Sequence, residues 1–143
     1  MCKCWTNAAG VTVFLVFSFV TRSAWTAEKQ SDNEITQTLI GSWIVPPDSS
    51  DARPDNTRAL GLYHPDGTAT YMWYSDHTCS TVVRIIEVAW KVKDGILTSV
   101  MQNGYTMKDE VVSIGPKTLT LHSLDDGTTY TRVRAKTCSV PVS

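Results

Sequence analysis

His64-Pro65-Asp66-Gly67-Thr68-Ala69-Thr70-Tyr71-Met72-Trp73 decides the fold. A proline-aspartate-glycine turn runs straight into β-branched and aromatic residues. Glycine, and more reluctantly Asp or Asn, accepts the positive φ that tight hairpin turns demand. The same chemistry returns at Lys93-Asp94-Gly95, Asn103-Gly104, Gly115-Pro116-Lys117 and Asp125-Asp126-Gly127, each between apolar or β-branched runs. Working outward from these turns, the sequence predicts strands near Ser42–Val45, Ala59–His64, Thr68–Ser75, Thr81–Val92, Ile96–Gln102, Tyr105–Ile114, Thr118–Leu124 and Thr128–Ala135, about eight in all.

Alternation says which side of these strands is dry. Ile86, Val88, Trp90 and Val92 share one face and Glu87, Lys91 and Lys93 the other, while Leu119 and Leu121 oppose Thr118, Thr120 and His122. A meander with one apolar face must pack on another layer or close on itself, and closure also removes exposed edges. The expected fold is therefore all-β, an antiparallel up-and-down barrel. A short helical turn should precede it: Ser31 and Glu34 have capping-box spacing, Ile35, Leu39 and Ile40 share a helical face, and Gly41 can end the turn. Pro46 to Arg58 (PPDSSDARPDNTR) has no apolar period and reads as a long surface loop.

The ends of the chain speak to location. Lys3 followed by the uncharged apolar run Ala8 to Val20 has the pattern of an export signal, so residues 1–27 are expected to be a signal peptide, or else an uncleaved signal anchor, the one membrane attachment expected. Residues 28–143 then form a single domain outside the cytoplasm, periplasmic or secreted. Cys2 and Cys4 precede the apolar run, where a lipid-modified cysteine would not lie. Cys79 and Cys138 remain, and in an oxidising compartment such a pair reads as a disulfide. It would close a loop of about 60 residues and stabilise by roughly 4 kcal/mol in the chain-entropy model. Strand direction sets the two cysteines at opposite ends of the sheet, so the tail from Ala135 would have to turn back. His77 with Cys79 and Cys138 could instead offer a metal three ligands, but without a paired ligand spacing the disulfide is the expectation and no metal is assigned.

Composition narrows the function. Thirteen Lys and Arg against fourteen Asp and Glu, a formal net charge of −1, leave no basic stripe for nucleic acid. No HExxH, GxSxG or glycine-rich phosphate loop occurs, and His64, His77 and His122 fall in a turn, a loop and on a wet strand face. No enzyme activity and no cofactor are expected.

Gly41-Ser42-Trp43 on the first strand, after a short helical turn and before a meander ending in Arg132 and Arg134, resembles the lipocalin and calycin barrels, and among them the small bacterial lipocalin-like domains. The resemblance implies that Trp43 plugs the closed end of the barrel, that Arg134 packs across it, and that the barrel holds a small apolar ligand. Tyr71, Trp73 and Trp90 are the aromatic candidates to line such a cavity, against the alternative that they simply fill the core. Strict alternation puts Arg84 on the Trp90 face, either as counter-ion to an acidic ligand or turned outward by a bulge. Pro46 to Arg58 would lie at the mouth. The competing reading is a solid barrel that binds a protein partner through the Asp76-His77-Thr78 loop or the Pro46 to Arg58 loop, for example as an inhibitor of an extracytoplasmic hydrolase.

Overall fold

A computed structural model describes residues 29–50, 52, 58–76 and 78–135. The expected export segment and Cys138 lie outside the described residues, as does His77. Helix α1 (Asp32–Leu39) is followed by strands β1 (Gly41–Ile44), β2 (Arg58–Tyr63), β3 (Thr68–Tyr74), β4 (Val82–Lys93), β5 (Ile96–Met101), β6 (Thr106–Ile114), β7 (Thr118–Ser123) and β8 (Thr129–Arg134). Each strand pairs antiparallel with the next, and β8 returns to β1 to close an eight-stranded barrel. Strand limits differ from the expected ones by a residue at most ends.

Turn chemistry sets the registers. At Asp94-Gly95 both residues have positive φ, 55° and 77°, which gives the primed two-residue turn whose twist matches paired strands. At the β2–β3 turn the Asp66 carboxylate accepts from the Thr68 amide at 2.9 Å and from its hydroxyl at 2.7 Å, and the Trp90 amide donates to the Gly67 carbonyl at 2.7 Å. The register of β6 against β7 slips between Val111 and Ser113, so Val112 is extra. That bulge lets both Val111 and Ile114 face the core, with 9 % and 7 % exposure, while Val112 is left outside at 56 %.

One end of the barrel is sealed. Ile35 and Leu39 of α1 are buried with Trp43, Tyr63, Trp90, Leu97 and Leu119. The Trp43 indole donates to the Leu39 carbonyl at 2.7 Å, and the Arg134 guanidinium lies 4.2 Å from the Trp43 ring. Arg134 also donates to the carbonyls of Ile40 at 2.9 Å, Pro116 at 3.0 Å and Thr38. The bonds to Thr38 and Ile40 occupy carbonyls at the C-terminal end of α1 that no helical partner can reach, and the bond to Pro116 ties that end to the β6–β7 turn. The expected capping box is present, with Ser31 and Glu34 bonded to each other's backbone. Asp32 ties the helix to the barrel by accepting from the amides of Asp94 and Gly95 at 2.7 and 2.8 Å.

Gly41 stands directly after the cap residue Ile40, where the helix ends, and opens β1 at φ 116°. A Cβ there would lie 2.6 Å from an Arg134 nitrogen, so the glycine leaves room for the guanidinium. A second, smaller cluster lies on the outer face of β1, β2, β3 and β8: Ile44, Leu60, Tyr74 and Ala135, with Met72, Val133 and Cys79 against it.

Candidate functional site

The registers say which residues face into the barrel. Trp43 pairs with Gly61, Gly61 with Tyr71, and Tyr71 with Ile86, so these positions share the inner face. At the sealed end Tyr63 meets Trp90 edge to face at 5.4 Å, and the Trp90 indole donates to the Thr68 carbonyl at 2.7 Å. This packing fills the space, and Trp90 belongs to the core rather than to a ligand surface.

Above that level the barrel is hollow. A cavity of about 320 Å³ is bounded by Trp43, Gly61, Tyr63, Tyr71, Trp73, Met101, Met107, Leu119 and Leu121, with Asp109, Tyr130 and Arg132 among its walls. Two of the four candidate ligand residues, Tyr71 and Trp73, line it; Trp90 and Arg84 do not. Gly61 helps make the space, since a side chain there would press on the Tyr71 ring at 3.0 Å.

Arg84 keeps the inward parity expected of it, opposite Trp73, because the bulge falls beyond it, where Tyr74 pairs with Val82. It is nevertheless exposed, with its guanidinium 5.3 Å from the Trp73 ring. The strand β4 simply runs past the end of β5, whose pairing with β4 stops at Val88 and Met101. Arg84 thus sits on the rim. The start of the expected mouth loop is tied down beside β8, where the Ser49 and Ser50 hydroxyls donate to the carbonyls of Thr131 at 3.2 Å and Thr129 at 2.7 Å.

Apart from Tyr71, the residues that give the cavity its polar groups were not among the candidates. The Tyr63 and Tyr71 hydroxyls share a hydrogen bond of 2.7 Å, and Tyr71 also bonds the buried Ser99. Asp109 of β6 and Tyr130 of β8 hydrogen-bond across β7, and the Arg132 guanidinium lies 4.2 Å from the Tyr130 ring. Burial holds the Asp109 carboxyl above its ordinary range, although the Tyr130 hydrogen bond and the Arg132 charge both pull it down. Burial pushes the hydroxyls of Tyr63, Tyr71 and Tyr130 up, so all three stay neutral in any ordinary medium. The signal for Asp109 was present as an acid in phase with Met107 and Val111, but without the barrel closed nothing joined it to Tyr130 and Arg132.

The described residues hold no group of three His, Cys, Asp or Glu placed to bind a metal ion. Among them no helix is long and apolar enough to cross a membrane. No family model, curated protein or solved structure matches the chain.

Proposed function

We propose that this is an exported, non-enzymatic binding protein of lipocalin-like type, whose barrel holds a small, largely apolar ligand. The cavity between the sealed end and Trp73 carries the reading. Its volume of about 320 Å³ lies at the lower end of the range for small-molecule sites, and its mix of aromatic and aliphatic walls with a few convergent polar groups is the usual composition of such sites. The Trp43 plug under Arg134 and the helix before it support kinship with the lipocalin barrels. Cys79 packs on the outer cluster that also contains Ala135, three positions before Cys138, which supports an extracytoplasmic disulfide between them.

Native mass spectrometry of the protein recovered from its own cells, before and after organic extraction, tests the carrier role. The reading expects a discrete extractable mass; protein that is bare as isolated and takes up no added apolar compound would count against it. One observation favours the second reading, a protein-binding module. Val82, Val83 and Ile85 are 43 %, 57 % and 59 % exposed on the part of β4 that extends past β5. Exposed apolar residues grouped on one strand suit a partner surface. A stable complex that survives Tyr71→Ala in the cavity but not Ile85→Lys on the rim strand would favour it.

A further inference from the structure

We infer that the ligand of the barrel is electrically neutral and carries one hydroxyl or carbonyl head, seated against Asp109, Tyr130 and Arg132, with its apolar remainder between Tyr71, Trp73 and the two methionines. The inference rests on the carrier reading above and names the ligand class.

Geometry supplies the first step. The charged groups of the lining lie on β6 and β8, where Asp109 and Tyr130 are bonded to each other and Arg132 stacks on the Tyr130 ring, while the Tyr63 and Tyr71 hydroxyls are already bonded to each other at 2.7 Å. The rest of the lining, from β3, β5 and the neighbouring part of β6, presents the Tyr71 and Trp73 rings, Met101 and Met107. A molecule filling the space therefore meets charged groups on one side only. An apolar body with a single polar head satisfies both walls, whereas a pure hydrocarbon would leave the polar wall facing it dry.

Charge supplies the second. The wall holds one acid and one base, so it has no net charge with which to compensate an incoming ion. A carboxylate drawn to Arg132 would also meet Asp109, on which Asp125 and Asp126 of the β7–β8 turn already act as like charges, and an ammonium drawn to Asp109 would also meet Arg132, so neither ion gains an unopposed partner. Tyr71 and Tyr130 face the same space and are neutral. Like charges brought together at a binding site oppose association. A hydroxyl carries no such penalty, and it can accept from one member of the wall while donating to another.

Octanol, octanoate and octylammonium share one chain and differ only in the head, and Trp73 in the cavity wall gives a fluorescence signal for titrating each at neutral pH. The inference expects saturable binding of octanol at least about tenfold tighter than of either ion. Asp109→Asn should lower the octanol-to-octanoate affinity ratio by removing the repelling charge. Because the readout is a ratio within each variant, a general loss of stability cancels. Octanoate or octylammonium binding as tightly as octanol, or an octanol-to-octanoate ratio unmoved by Asp109→Asn, would overturn the inference while leaving the carrier reading in place. Failure of all three probes to saturate would overturn both.

Discussion

Arg134 shows how one side chain can do several structural tasks. Its planar fork reaches three carbonyls, on the helix end and on the β6–β7 turn, while its face covers Trp43. A lysine has the charge but neither the fork nor the flat face. Arg134→Lys should therefore destabilise the protein by about 2–3 kcal/mol, the scale of hydrogen bonds involving a charged group, as read from urea unfolding. Gly41→Ala should reach a similar loss of about 1–3 kcal/mol, because the methyl group meets the guanidinium at a positive φ. Asp76 tests acid sensitivity. Its carboxylate accepts from the amides of Thr78, Ser80 and Thr81 and from the Thr78 and Ser80 hydroxyls, which holds its pKa far below the usual aspartate range. A group depressed on folding contributes stability above its ordinary pKa and loses it as pH falls towards the depressed value. Asp76→Ala should thus be less stable at neutral pH and show a shallower decline in acid. Unfolding midpoints measured from neutral to strongly acidic pH would reveal any failure of that crossover.

At the scale of elements, α1 is held by its two ends. Its N-terminus is bonded to the β4–β5 turn through Asp32 and its C-terminus is covered by Trp43 and Arg134. Asp32→Ala should speed hydrogen exchange at the Asp94 and Gly95 amides while leaving the Ile40 amide, which donates to the Thr36 carbonyl at 3.3 Å, protected; uniform loss of protection across α1 would mean that the helix has no separate anchor. The strands were legible because aspartate-glycine and asparagine-glycine turns punctuate them locally, and the helix because Ser31, Glu34, Ile35 and Leu39 mark its cap and face. Trp43 with Arg134 was legible as well, since with eight alternating strands the last ends where the first begins. What local patterns did not carry was which inward residues end up in packed core and which face empty space. Trp90 and Trp73 both point inward, yet the first is filled in by Tyr63 and the second borders the cavity. Asp109, Tyr130 and Arg132 likewise come together only through the pairing of β6 with β7 and of β7 with β8.

The described residues form a cup: a barrel stopped at one end by α1, Trp43 and Arg134, with a hollow above. If Cys79 and Cys138 are bridged as proposed, intact mass of the non-reduced protein will be two hydrogens below that of the reduced chain, and reduction will lower the unfolding midpoint. The central claim is that the hollow is where a ligand goes, and the methionines can report on it. Met101 and Met107 line the cavity, whereas Met72 packs on the outer cluster with Ile44 and Leu60. Methyl NMR of protein with labelled methionine methyls, titrated with octanol, measures this directly. The account predicts saturable shifts at Met101 and Met107 with Met72 unmoved. Shifts centred on Met72, or none that saturate, would contradict it.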